Sequence, residues 1–509
     1  MSLFPFFSLL FLLVNPALLW LFTRFNQNLQ KLDFWMMVTT GLAWLISLAF
    51  FFLTPDQQLN PIWDAGEKLL PSLAFSLDWI SSSYFLAVCS LIFFAVLVEG
   101  YSPQTNAWIT AMGAVCVLGT MVDSAYALAL AWTVIEALSL YRYLKNQGEM
   151  DPNQRYVLAI LARLAAPLLV IYISLINSET GIAPFLTELP SSAAPFLLAA
   201  GIISYGGWFL APEVPVEDQP VFQPGKFAAM IPASLGLVLI TRSAQIHDIG
   251  GSNPGLFIAA AVILFLGFFA AALFYQPDRS WRVGSLALMI GGFSFAAPQA
   301  VLAWGVIFLL PGIVLFRKYS SNRTAIIALV MGGIGIIPLP FLPAWAGLKP
   351  FTDIPGLLFA CLAGILLGKT LHLGIQTWQG EDLESEVVSP VMITGYAVVL
   401  ISQFVISIQS GLIRISLDFS TVPLAAWLGL ATFIPAALFW SRIPELEISQ
   451  GLKRIRNIRK ILGGFLESIV RIAEGTMYIF IRLFEGDGGL IWTLLFGFLI
   501  LTLISLRGG

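Results

Sequence analysis

Glu136 and Arg163 are the residues of this sequence whose type and position together suggest chemistry. Each interrupts a long apolar stretch, Glu136 in MVDSAYALALAWTVIEALSLYRY and Arg163 in RYVLAILARLAAPLLVIYIS. A charged group inside a membrane span costs about 2.5 to 3.5 kcal/mol even on the lenient insertion scale, so such groups mark functional candidates. Glu136 precedes the end of its apolar run, Leu144, by eight residues, and Arg163 follows the start of the next run, Tyr156, by seven. At about 1.5 Å rise per residue, both stand roughly 10 to 12 Å from the same membrane face. Opposite charges at one depth on consecutive antiparallel helices are placed to pair. The other reading of Arg163 is that its side chain snorkels to the interface.

Other chemistry is sparse. His247 and His372 fall at or beyond the ends of apolar runs, too shallow for axial haem ligands. The sequence contains no H-E-x-x-H, Walker loop, nucleophile elbow or dinucleotide fingerprint. Cys89, Cys116 and Cys361 each sit alone in an apolar run and read as small core residues, with neither a disulfide framework nor a C-x-x-C site. Glu381, Asp382, Glu384 and Glu386 form a solvated acidic loop. No catalytic residue, cofactor or metal is expected.

The elements that position Glu136 and Arg163 are membrane helices. Of 509 residues, 58% are hydrophobic and 11% charged, far from the balance of a soluble domain. A net charge of -3 offers no basic surface for nucleic acid. Apolar runs predict about sixteen spans, near 3-22, 34-53, 80-98, 107-121, 123-144, 156-176, 193-211, 226-241, 255-274, 283-297, 299-316, 324-344, 354-371, 389-408, 422-440 and 488-505. The first has no basic residue before it and no small-residue cleavage site, so it reads as a span, not a removable signal. With this assignment, twenty of the 26 Lys and Arg fall in loops on one side, Lys369 among them. Five fall on the other, namely Lys68, Arg242, Lys349, Arg414 and Arg507, with Arg163 left as the single deep base. Positive charge marks the cytoplasmic side, so both termini are expected to face away from it.

Two spans carry clustered helix breakers: the seventh has Pro195, Gly201, Gly206, Gly207 and Pro212, and the twelfth has Gly332, Gly333, Gly335, Pro338, Pro340 and Pro343. Discontinuous helices in corresponding places of two inverted repeats are a transporter pattern. General Gly and Pro enrichment in membrane helices is the competing explanation. The expected organisation is a three-span region 1-106, a five-helix repeat 107-242, an inverted five-helix repeat 255-373 and two flanking spans in 389-440. An amphipathic helix 446-485 and a terminal span within 488-509 complete it. In the amphipathic stretch Leu452, Ile455, Ile458, Leu462, Phe465, Ile469 and Ile472 recur at helical spacing opposite Lys453, Arg454, Arg456, Arg459 and Lys460. Such a helix lies in the membrane interface, held by anionic lipid or against a neighbouring subunit.

With these motifs in order, the chain resembles the antiporter-like membrane subunits of respiratory complex I, membrane-bound hydrogenases and multisubunit sodium/proton antiporters. MVDSAYALALAWTVIEALSLYRY is similar to that family's fourth-to-fifth helix block, with Asp123 and Glu136 in its acidic positions. QRYVLAILARLAAPLLVIYI resembles the sixth helix, and GKFAAMIPASLGLVLITR the eighth, with Gly236 and Arg242 matching. FLGFFAAALFYQPDRSWRVGSLALMIGG resembles the ninth and tenth helices around an Asp-x-Lys turn, with Asp278 kept, and EGDGGLIWTLL resembles the approach to the last span in the larger members. The resemblance implies an all-α polytopic fold, other membrane subunits and lipid as partners, and H+ or Na+ as the translocated ion. It further implies an energy-transducing membrane such as the prokaryotic plasma membrane, and a place in an ion-translocating NAD(P)H or ferredoxin:quinone oxidoreductase or an antiporter.

Departures from the family pattern are concentrated in its polar axis. APFLLAAGIISYGGWFLAP lacks the lysine of the seventh helix, Ala228 stands at the eighth-helix base and Ser280 at the lysine of the turn. Lys349 is the one match for the twelfth-helix base, a turn late. Arg163 does not replace a relay lysine, because guanidinium does not deprotonate in proteins. The implied ion pathway thus reduces to Glu136, Arg163, Asp123 and Lys349. Three functions remain open: an ion-translocating subunit with a degenerate pathway, a non-pumping assembly subunit of the same kind of complex, and an independent enzyme of lipid or isoprenoid chemistry. The last lacks a loop cluster for a phosphorylated substrate.

Overall fold

A computed structural model describes residues 4–25, 29–53, 57–59, 75–98, 102–146, 154–177, 185–210, 224–247, 254–274, 277–315, 326–327, 330–331, 334–340, 342–379, 390–409 and 424–439. The chain divides into two compact units, Met1–Trp440 and Ser441–Gly509, and the described residues all belong to the first. The expected amphipathic helix 446–485 and terminal span therefore lie outside the described residues.

The described residues are helical almost throughout. In chain order the helices are α1 Phe4–Arg24, α2 Leu29–Leu53, α3 Trp79–Val98, α4 Pro103–Met121 and α5 Ala125–Asn146. They continue with α6 Gln154–Ile176, α7 Ala194–Leu210, α8 Pro224–Ile246, α9 Pro254–Phe274 and α10 Pro277–Ser294. The last five are α11 Pro298–Leu315, the short α12 Pro343–Leu348, α13 Ile354–Gln379, α14 Pro390–Gln409 and α15 Leu424–Phe439. One small antiparallel pair, β1 Gln57–Leu59 and β2 Phe75–Leu77, joins the α2–α3 connection, with Gln57 opposite Leu77.

Among the described residues, five helices contain stretches long and apolar enough to cross a membrane: Phe6–Arg24, Lys31–Phe52, Trp79–Val98, Ile354–His372 and Pro390–Ile408. Shorter apolar helices accompany them. The polarity is inside out. Phe7, Leu10, Trp20, Leu130, Leu168, Tyr172, Ile258 and Phe265 are exposed, while Glu136, Arg163, Arg242, Lys369 and Gln403 are buried. A soluble protein does not present so large an apolar surface, whereas hydrocarbon solvates it and leaves polar groups to pair inside the bundle.

Helix α3 is the hub, buried along nearly its whole length and packed by α2, α4, α8, α11 and α14. Its residues Ser81, Ser82, Ser83, Ala87, Cys89, Ser90 and Ala95 are small, which lets five neighbours approach. Ser90 Oγ donates to Ser402 Oγ at 2.8 Å, and Trp44 Nε1 donates to the same oxygen at 3.0 Å, joining α2, α3 and α14 at one hydroxyl.

Local signals set several boundaries. Helix α4 starts earlier than the expected 107, at Pro103, because Ser102 Oγ accepts the Thr105 N–H at 3.4 Å and proline suits the first turn. Helix α7 runs unbroken through Gly201 and Gly206 from Ala194 to Leu210. Gly201 instead serves a helix crossing: a Cβ there would stand 2.9 Å from the carbonyl oxygen of Gly236 on α8. In the twelfth region, residues 334–336 are helical, 337–340 are not, and helix resumes at Pro343. Helix α13 passes the end expected at 371 and continues to Gln379.

Candidate functional site

The charged pair anticipated from depth is present. Arg163 Nε lies 2.8 Å from Glu136 Oε1, and Arg163 Nη2 donates to Glu136 Oε2 at 2.8 Å. Both residues are buried, at 2% and 6% exposure, so neither reaches an interface and the snorkelling alternative does not apply. Helices α5 and α6, consecutive in the chain and packed on each other, supply the two side chains. The planar guanidinium faces both carboxylate oxygens, hydrogen-bonding one and standing at ion-pair distance from the other.

A second cluster forms where α3, α4, α7 and α8 begin or end. Arg242, near the end of α8, donates through Nη2 to Asp78 Oδ1 at 3.0 Å and to Ser81 Oγ at 2.8 Å. Its Nη1 donates to Asp78 Oδ2 and to Gln245 Oε1, the latter at 3.0 Å. Asp78 also caps α3, accepting the Ser81 N–H at 2.9 Å. One carboxylate thus satisfies a helix N-terminus and a buried guanidinium together.

Asp123 lies beside this cluster, between α4 and α5. Its Oδ2 accepts the Thr187 hydroxyl at 2.8 Å, its Oδ1 accepts the Thr187 N–H at 3.2 Å, and its backbone oxygen accepts the Leu186 N–H at 2.8 Å. Together with the Ser124–Phe185 bridge, these contacts tie the start of α5 to the approach of α7. Both carboxylate oxygens and the backbone oxygen of Asp123 are thus engaged in holding Leu186 and Thr187. This places Asp123 with Arg242 and Asp78, and apart from the Glu136–Arg163 pair in its contacts.

The remaining candidate, Lys349, stands exposed at the C-terminal end of α12, its N–H bonded to the Ala346 oxygen at 3.3 Å. It does not join the buried charges. A lysine counted as a loop residue does: Lys369 is 1% exposed, because α13 continues ten residues beyond it. His372, expected at a span end, is likewise buried, its Nδ1 3.3 Å from the Ala437 oxygen. Arg163 is thus not the only buried base among the described residues, since Arg242 and Lys369 are also buried at 1%. The apolar run did end near 371, but intrahelical bonding continues wherever neighbouring helices cover the polar residues.

Asp78 was missed by sequence reading. An aspartate three residues ahead of Ser81, just before an apolar run, is a helix N-cap signal that could have found it. Nothing local connects it to Arg242. Among the described residues no group of three or more His, Cys, Asp or Glu could hold a metal.

No family model and no curated protein matches this chain. Solved structures do match. A chain of the Mrp complex from Dietzia sp. is similar over 100% of this chain and 63% of its own length, at 14% identity and a TM-score of 0.59. The chain therefore spans somewhat less than two thirds of that Mrp chain. A chain of the membrane-bound sulfane sulfur reductase, an archaeal respiratory membrane complex, is similar over 98% of this chain and 99% of its own, at 12% identity and a TM-score of 0.56. A chain of respiratory complex I from Thermus thermophilus is similar over 86% of this chain and 100% of its own, at 16% identity and a TM-score of 0.50. At these identities the likeness is one of fold, shared with chains of three multisubunit membrane complexes.

Proposed function

We propose that this chain, having the fold of membrane subunits of those three assemblies, is an antiporter-like subunit of a multisubunit complex I-like or antiporter complex, with a degenerate route for protons or sodium ions. What carries the reading is the fold likeness over essentially the whole chain together with charges buried inside the bundle. Buried ionisable groups in apolar helices are costly to keep and mark ion pathways. The chain itself does no catalysis in this reading. It would serve a complex such as an ion-translocating NAD(P)H or ferredoxin:quinone oxidoreductase in a prokaryotic plasma membrane or an equivalent energy-transducing membrane, both termini facing away from the cytoplasm.

Residues 107–242 and 255–373 would be the two inverted five-helix units, and 446–485 a lateral helix touching a neighbouring subunit as well as lipid. Forty helical residues reach roughly 60 Å, more than one subunit needs to cover its own helices.

A second reading, a non-pumping assembly subunit, is favoured by one observation: Glu136 is closed into a two-contact pair with a base that cannot release a proton. Lys369 weighs the other way, since it keeps a titratable group inside the bundle.

Purification from membranes in mild detergent should bring down other membrane subunits, and the reconstituted assembly should show proton or sodium flux. A solitary chain would overturn both readings, and a complex with no flux would leave the assembly role. Deleting 446–509 should reduce complex formation more than membrane insertion, and intact complexes from that truncation would remove the lateral-helix role.

A further inference from the structure

Gln403, on α14, is 1% exposed, and among the described residues neither its Oε1 nor its Nε2 has a hydrogen-bond partner. Ser407 Oγ, one turn along the same helix and fully buried, also has none. Their neighbour Ser402 shows what an ordinary buried hydroxyl does here, being held by Trp44 and Ser90. The Gln403 carboxamide is pressed against Gly335, just before the helix of the twelfth region breaks off. A Cβ on Gly335 would stand 2.2 Å from Gln403 Oε1 and 2.6 Å from Pro311 Cγ, so only glycine admits the carboxamide to this backbone.

Proline has no N–H to give the residue four before it. Pro311, inside α11, therefore leaves the Ile307 carbonyl without its helical donor. Gln403, whose amide both donates and accepts, and Ser407, one turn along the same helix, are thus buried without partners among the described residues, Gln403 against the Gly335 backbone. Dry, each such polar group keeps an uncompensated desolvation penalty. A water needs two to four polar partners, and the two unpartnered atoms of the Gln403 carboxamide are groups of that kind. A bare cation would engage Oε1 and leave the Nε2 donor unmet.

We propose that Gln403 anchors an internal water site where α11, the interrupted segment 334–348 and α14 meet, and that this water passes protons across the interruption. The hydration stands alone, whereas the relay rests on the translocation reading above. In the relay the water accepts a proton on one side and releases another on the far side, with no net change at Gln403.

The test is a high-resolution density map of the intact complex, with flux from the same preparations in liposomes. Wild type should show ordered water within hydrogen-bond distance of both carboxamide atoms, absent in Gln403→Leu. Proton flux should fall several-fold in Gln403→Leu and persist in Gln403→Glu, whose carboxyl still binds water. Gln403→Leu should also lower the melting temperature, because leucine discards water-mediated bonds. A dry carboxamide, or a melting temperature raised by leucine, overturns the site. Water present with flux unchanged in Gln403→Leu overturns the relay. A wild-type complex without flux overturns the relay and the translocation reading together, and the map still decides the water site.

Discussion

Arg242 and Asp78 lie 164 residues apart in the chain, yet the guanidinium of one meets both carboxylate oxygens of the other. The contact fastens the end of α8 to the start of α3, the most enclosed helix of the bundle, and the same carboxylate caps α3. Removing one partner of a buried pair costs about 3–5 kcal/mol because the other charge is left uncompensated. Asp78→Ala should fall toward the low end of that range, since its side chain is 19% exposed and partly screened. Arg242→Lys should recover part of the loss, keeping the charge but not the two-pronged contact. Thermal unfolding of the purified variants measures both, and an Asp78→Ala protein as stable as wild type would show that the pair does not fasten these helices.

Glu136→Gln should strand the Arg163 guanidinium and reduce assembly of the complex. Arg163→Lys should be tolerated, since an ammonium still pairs with the carboxylate and has a proton it can release. Assembly and proton flux measured together decide the role: normal assembly with lost flux in Glu136→Gln would mean that the pair opens and works as a relay.

Helices α7 and α8 cross through two glycines. A Cβ on Gly236 would lie 2.7 Å from the Gly201 oxygen and 2.8 Å from the Tyr205 nitrogen, both backbone atoms that cannot rotate away. Gly236→Ala should therefore push the helices apart and destabilise by about 1–3 kcal/mol, as overpacking does. Tyr205, whose hydroxyl donates to the Arg282 oxygen at 3.0 Å, would shift with α7. Denaturation of Gly236→Ala next to a control at Gly206, where an added Cβ meets nothing within 4 Å, separates crowding from the general effect of losing a glycine.

Lys369→Met keeps the length of the side chain and removes its charge. Under the translocation reading, flux should drop while the complex still assembles, and Lys369→Arg should not restore it, because arginine holds its proton. Equal flux in wild type and Lys369→Met would take Lys369 out of any pathway.

The sequence alone determined that this is an all-helical membrane chain, where most helices begin, and that Glu136 and Arg163 share a depth. Those properties are local: apolar length, capping residues such as Ser102, and distance along a helix of fixed rise can be counted without knowing any neighbour. Glu136 and Arg163 met because only a short connection separates them, so depth alone nearly fixed the contact. Tertiary structure decided what depended on which helix lies beside which. Uniformly apolar helices carry no amphipathic stripe, so nothing in the sequence said which face of α13 would bury Lys369, or that α8 would bring Arg242 to Asp78. For the same reason Gly201 of α7, which resembles part of a break, proved to be the ground on which α8 rests, and Gln403 looked like any polar residue until Gly335 was found against it.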